Sequence, residues 1–132
     1  MKYALAAGKR KTSIAKAIVT EGKGIVRINA NLLDNYMPEI SRMRIQEPLQ
    51  LAGDLSKKVN IHVNVASGGF QAQTEATRLA IARALVVFSK DQNLKKTFLE
   101  YDRHLLIADV RHKETRKPND SKARAGRQKS YR

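Results

Sequence analysis

The chain has 132 residues, with 26 Lys plus Arg set against 12 Asp plus Glu, for a formal net charge of +14. One domain is expected at that length, and so large a cationic excess points to a polyanionic partner rather than to a small-molecule substrate. With no Cys, the sequence excludes disulfides, thiolate zinc sites, iron–sulfur clusters and a Cys nucleophile.

The opening Met1–Gly8 is too short for the apolar core of a signal peptide, and no stretch approaches the roughly 18 apolar residues a membrane span needs. A cytosolic protein without membrane contact is the expectation. Residues 1–16 carry five basic side chains and no acid, and residues 111–132 carry nine basic and two acidic ones. Between them the chain is nearly neutral. Charge gathered at the two ends reads as phosphate-contacting arms on a packed body.

Along the body, Ser13–Thr20 favours a strand, and Glu21-Gly22-Lys23-Gly24 supplies turn chemistry for a hairpin returning through Ile25–Ile28. Asn29 and Asn31 are placed to cap a short helix over Leu32–Tyr36, and Pro38 and Pro48 bracket a second short helical piece. The clearest strand is Lys57–Ala66, where Val59, Ile61, Val63 and Val65 alternate with polar residues, so one face is buried and one is wet. After Ser67-Gly68-Gly69, helical spacing predicts a long helix over Gln71–Ser89 lying across the sheet, then a shorter one over Leu94–Tyr101. Leu105–Ala108 is the last apolar segment able to dock.

Catalytic constellations fail on spacing. Gly8-Lys9 lacks the preceding Gly and following Ser or Thr of a phosphate-binding loop, since Tyr3 and Arg10 stand there. Ser67-Gly68-Gly69 suits either a tight strand-to-helix turn or an anion at a helix N-terminus. His62, His104 and His112 show no metal-ligand spacing, and Asp102 near His104 reads as a surface pairing. Neither a metal nor a cofactor is expected. Arg83 lies on an apolar stripe between Leu79 and Val87, either as a snorkelling stem or as an RNA phosphate clamp.

The block Gly8-Lys9-Arg10-Lys11-Thr12-Ser13-Ile14-Ala15-Lys16-Ala17 resembles the opening strand of small-subunit ribosomal protein nine. Pro48–Leu51, Val63–Val65, Ser67–Gln73 and the run through Ala76, Arg78 and Ile81–Leu85 are similar to that family's central signature. The ending Gln128–Arg132 resembles archaeal and eukaryotic members more than bacterial ones, which identifies an archaeal type. The family's triple Gly begins with Ser67 here, Ala72 replaces a Gly, and Lys117–Ser121 stands where archaeal tails are often Gly-rich.

The resemblance implies an α/β (α+β) fold: a mixed sheet with helices packed on one face, like the second domain of small-subunit ribosomal protein five, followed by an extended tail. It implies a non-enzymatic constituent of the small-subunit head that binds the 3′ major domain of the rRNA beside other head proteins, with its tail approaching peptidyl-site tRNA. Residues 1–110 would form the rRNA-binding body and residues 111–132 the tail, which spans at most roughly 70 to 80 Å. From charge placement and resemblance together, the expected rRNA contacts are Lys9, Arg10, Lys11, Lys16, Arg78, Arg83, Arg111, Lys113, Arg116, Lys117, Lys122, Arg124 and Arg127. Lys129, Ser130, Tyr131 and Arg132 are the expected tRNA-proximal residues. A free-standing nucleic-acid chaperone or architectural protein shares the basic arms and is the alternative; sedimentation with ribosomes separates the two. An enzyme on this scaffold would need a phosphate loop and an acid for Mg²⁺, and only Gly68-Gly69 is on offer.

Overall fold

Small residues dominate the inward side of the first strand. A computed structural model of the chain describes residues 1–120, 122–127 and 131. In β1 (Tyr3–Arg10), Ala4, Ala6 and Gly8 turn toward the core while Tyr3, Leu5, Ala7 and Lys9 face out. A two-residue turn at Lys11-Thr12 leads into β2 (Ser13–Glu21), which pairs antiparallel with β1 from Tyr3 opposite Thr20 to Arg10 opposite Ser13. The basic block Gly8–Ala17 is therefore not one strand but the tip of a hairpin. Lys9, Arg10 and Lys16 sit on the sheet, Lys11 at the hairpin tip, and Lys2 just before β1 with its ammonium over the Phe88 ring, rather than on a free arm.

The expected hairpin from β2 into β3 (Val26–Ile28) does not form. The sheet order is β1-β2-β5-β3-β4, so β5 (Val59–Ala66) inserts between them, antiparallel to β2 and parallel to β3. The turn residues wrap the start of β5 instead: Gly22 and Gly24 N–H donate to the Lys58 and Val59 carbonyls at 2.9 and 3.0 Å. The Asn60 carboxamide oxygen accepts from Lys23 and Ile25 N–H. Local turn chemistry was satisfied by a partner more than thirty residues away.

Asn29 is likewise not a helix cap. Its side chain pairs with the Val65 backbone in both directions, at 3.0 and 2.9 Å, prolonging the β3–β5 ladder. Asn31-Leu32 forms the edge strand β4, and the expected helix over Leu32–Tyr36 shrinks to a 3₁₀ turn at Leu33–Asn35 with no side-chain cap. Pro38 does precede a helix, α1 (Glu39–Ala52), but Pro48 lies inside it rather than at its boundary. Proline removes one helical hydrogen bond, yet Ile45 and Pro48 are buried where α1 packs on the long helix, and that packing keeps the helix intact.

The short α2 (Asp54–Lys57) precedes β5, so the strand starts at Val59 rather than Lys57. Its alternation is as the sequence predicts, with Val59, Ile61, Val63 and Val65 buried. The long helix α3 (Phe70–Ser89) crosses β1, β2 and β5, and α4 (Gln92–Tyr101) follows an Asp91 cap that accepts from Asn93 N–H at 2.8 Å. Leu105, at the end of a 3₁₀ turn, is fully buried. The fold is α+β, a mixed five-stranded sheet with its helices on one face. Among the described residues, none from Arg111 onward is in a helix or strand, and no helix is long and apolar enough to cross a membrane.

Two close approaches fix how α3 meets the sheet. At Gly8, a Cβ would fall inside contact distance of the Ala76 carbonyl oxygen and 2.8 Å from Ala80 N, so only a glycine strand lets the helix backbone come this near. Ahead of α3, Ser67 and Gly68 both adopt left-handed φ, at 66° and 73°, and the Ser13 hydroxyl donates to the Ser67 carbonyl at 2.7 Å. The Ser67-Gly68-Gly69 turn thus serves the strand-to-helix reversal.

Gly8→Ala should destabilise the body by about 2 to 3 kcal/mol, the scale of an overpacked core that cannot relax. Gly126, whose Cβ position is open space, is the control. Thermal melts compare the two, and equal melting temperatures for both variants would contradict the close-approach account.

Candidate nucleic-acid interface

The cations divide by what their neighbours do to them. Arg10 is on the inward side at the end of β1, so its guanidinium reaches over α3 rather than outward. Its Nε donates to Glu75 at 2.7 Å, its Nη1 donates to the Arg111 carbonyl at 3.1 Å, and its Nη2 lies 3.6 Å from Asp109. Arg44 of α1 approaches the other Glu75 oxygen at 3.4 Å. Arg78 is clamped between Glu47 of α1 and Asp102 at the end of α4. With side chains only 15% and 12% exposed, Arg10 and Arg78 are embedded in a network surrounding a cleft of about 200 Å³.

Arg83 resolves as neither a free snorkelling stem nor an open clamp. Its Nε donates to the Leu106 carbonyl at 2.9 Å and its Nη1 to the Ala7 carbonyl at 3.0 Å, tying α3 to β1 and to the segment after α4. Arg10, Arg78 and Arg83 together hold residues 102–111 against the body. Most of their guanidinium donors meet protein acceptors, with Arg78 Nε buried and unpartnered among the described residues.

Two carboxylates of this network are held in their charged form. Burial pushes the Asp102 carboxyl up, but the His104 N–H and Arg78 hydrogen bonds outweigh it and leave the group below its ordinary value. Asp109 is held well below the usual carboxylate range, first by its side-chain hydrogen bonds from Arg111, then by the Arg111 N–H and the nearby charge of Arg10, against an opposing burial effect. The Arg111 pair is two-pronged, with Nη2 to Oδ2 at 2.7 Å and Nε to Oδ1 at 3.1 Å.

The other expected contacts are exposed. Lys9 and Lys16 point outward from β1 and β2, and Lys11 occupies the hairpin tip with φ of 53°. In the tail, Lys113, Arg116, Lys117 and Lys122 are exposed and make no ion pair among the described residues. Arg124 folds back on Glu114 at 2.6 Å, and Arg127 Nε lies 3.7 Å from Asp120. Tyr131 is exposed, whereas Lys129, Ser130 and Arg132 lie outside the described residues. Arg27, the outward residue of β3, was missed by sequence reasoning although Val26-Arg27-Ile28 alternates in plain view.

Among the described residues, no nucleophile is assembled with a base. The ring nitrogens of His104 and His112 meet only the nearby carbonyls of Ile107 and Val110. Among the described residues, no cluster of His, Asp and Glu could hold a metal ion. What the surface offers is exposed cations, suited to phosphates.

The sequence profile of the family described as "Ribosomal protein S9/S16" matches residues 8–132. The chain belongs to that family. Its members are structural, non-enzymatic ribosomal components. The chain is 46% identical to the small ribosomal subunit protein uS9 of Thermoplasma volcanium over 132 residues, the whole of both chains. It is 48% identical to the uS9 of Desulfurococcus amylolyticus over 132 residues, 94% of that protein. A third relative, the uS9 of Pyrobaculum aerophilum, is 46% identical over 128 residues, 97% of this chain and 90% of that protein. All three sources are archaea, in agreement with the archaeal type expected from the tail.

The charge network has a pH signature. A carboxylate whose folded pKa is depressed stabilises the fold above its unfolded value and loses that contribution as pH falls. The double variant Asp102→Asn, Asp109→Asn should therefore melt below the wild type at pH 7, with the gap beginning to narrow as pH falls from about 4 toward about 3 and closing only below the depressed folded values. Melting temperatures across that range check it; a gap that stays constant with pH contradicts the assignment.

Proposed function

We propose that the chain is a structural constituent of the small ribosomal subunit that binds the 3′ major domain of the rRNA in the subunit head, with its tail approaching peptidyl-site tRNA. The coarser part follows from family membership: a small-subunit component whose partners are rRNA and other ribosomal proteins, in the ribosome of the cytoplasm. The observation that supports RNA contact is the separation of cations: acids hold the partly buried Arg10 and Arg78, whereas Lys9, Lys11, Lys16 and the tail cations from Lys113 to Lys122 are left exposed, and the choice of the head domain and of peptidyl-site tRNA is what the family resemblance implies. A-form RNA is held mostly through backbone and shape, which calls for such residues rather than for a pocket.

In this reading residues 1–110 are the body and residues 111–132 the tail. The tail has too little apolar surface to offset its ordering entropy, so it takes its final path on RNA. Binding to naked head-domain RNA should then be steeply salt-dependent. Each phosphate contact contributes a log–log slope of about −0.7 to −0.9, so six contacts give roughly −4 to −5. A titration with a slope no steeper than about −1 would reject the reading.

The tail tip has its own test. Lys129 and Arg132 can pair with phosphates, Ser130 can donate to one, and Tyr131 can stack or hydrogen-bond. Deleting residues 129–132 should leave subunits assembled while weakening peptidyl-site tRNA binding by about 1 to 3 kcal/mol, the scale of one or two charge-assisted hydrogen bonds. Filter binding on purified variant subunits reads this, and unchanged affinity leaves an rRNA-binding tail only.

A further inference from the structure

The helices cover only one side of the sheet. On the other, residues facing out from neighbouring strands stand in rows: Leu5 beside Ile18 beside His62 beside Arg27, then Ala7 beside Lys16 beside Asn64, then Lys9 beside Ile14 beside Ala66. Leu5 and Ile18 are 59% and 39% exposed, and Tyr3 at the far end of β1 is 65% exposed. No element of the described chain packs on this surface.

Its charge is of one sign. Lys9, Lys16 and Arg27 project from it, and no outward position of β1, β2, β3 or β5 carries a carboxylate. Lys9 is paired with Ile14 and Lys16 with Ala7, so the two lysines are diagonal neighbours, about 7 to 8 Å apart at their backbones. The three cations make no ion pair among the described residues, although the helical side is laced with acids. Like charges this close, left without counter-charges, call for an anionic partner.

We propose that the open face of the sheet is an RNA-docking surface reaching beyond the tail's exit, with Lys16 and Arg27 on phosphates, Lys9 at its border with residues 108–112, and the Leu5–Ile18 row against ribose and base surfaces. The inference rests on the rRNA-binding reading and names the surface that performs it. A ribosomal protein is the less suitable occupant. The Ala7–Lys16–Asn64 row separates the apolar rows, so they never merge into the dry patch that forms a protein interface core. Cations, carboxamide, imidazole and single aliphatic side chains match the mixed surface of sugar and phosphate instead.

The test uses the full chain and a transcript of the small-subunit head domain. Lys16→Gln with Arg27→Gln should weaken binding about tenfold or more and flatten the salt slope by about 1.4 to 1.8, two phosphate contacts' worth. Lys95→Gln with Lys96→Gln, on exposed positions of α4, should stay within about twofold of wild type. Should the open-face variant misfold by circular dichroism, acetylation of the wild type decides: RNA should protect Lys9 and Lys16 and leave Lys95 and Lys96 reactive. Wild type that fails to bind the transcript removes the rRNA reading itself. Wild type that binds while Lys16 acetylates at its free rate, whether or not Lys9 beside the tail is protected, overturns the proposal alone. Protection of Lys16 only within whole subunits, and not by the transcript, assigns the face to a protein neighbour and likewise overturns it.

Discussion

The backbone of α3 lies nearly in contact with β1, and the residues that permit this are the smallest available. Gly8 faces Ala76 and Ala80, and Ala4, Ala15 and Ala17 line the same inner side of the sheet. Interiors pack at crystal-like density, so a helix seated this low has one position along the strands. That position places Glu75, Arg78 and Arg83 where they meet β1, α1 and the segment after α4. It also leaves the opposite face of the sheet bare.

The cationic side chains accordingly do two kinds of work. Near α3 and the end of β1, partly buried arginines meet acids and carbonyls from distant parts of the chain, and the planar guanidinium suits such multi-partner sites better than an ammonium would. Arg10 alone links β1 to α3 and to residues 109–111. Lysines, by contrast, populate the outer face, the hairpin tip and much of the tail. A large formal charge is therefore a poor count of RNA contacts, because part of it is neutralised inside the protein. The network also fixes where the tail leaves the body, beside Lys9 and Lys11 at one end of the sheet.

Much of the fold was legible in the sequence where the signal is local. The strict alternation of β5 and the long apolar helix needed only a few neighbours to be read, and their observed bounds differ by one or two residues from expectation. Pairing was not legible in the same way. Glu21–Gly24 has the chemistry of a hairpin, but β5 competes for the same edge of β2 and wins it, turning β3 into a parallel neighbour. Pro48 and Asn29 misled for a related reason, since burial on α3 and a ladder with Val65 override their local preferences. The cationic arms were legible as composition, yet Arg10 and Glu75 are 65 residues apart, and nothing in the sequence alone announces their contact.

The central claim is that this fold sorts its cations, holding some arginines inside the protein and presenting the sheet's open face and the tail to RNA. Residue-level RNA–protein crosslinking in purified small subunits tests it most directly. Crosslinks are expected at outward positions such as Tyr3, Lys16 and Arg27 and along the tail beyond Arg111, with none at Arg10, Arg78 or Arg83. Crosslinks concentrated at those three arginines or on α1 and α4, with the open face silent, would contradict it.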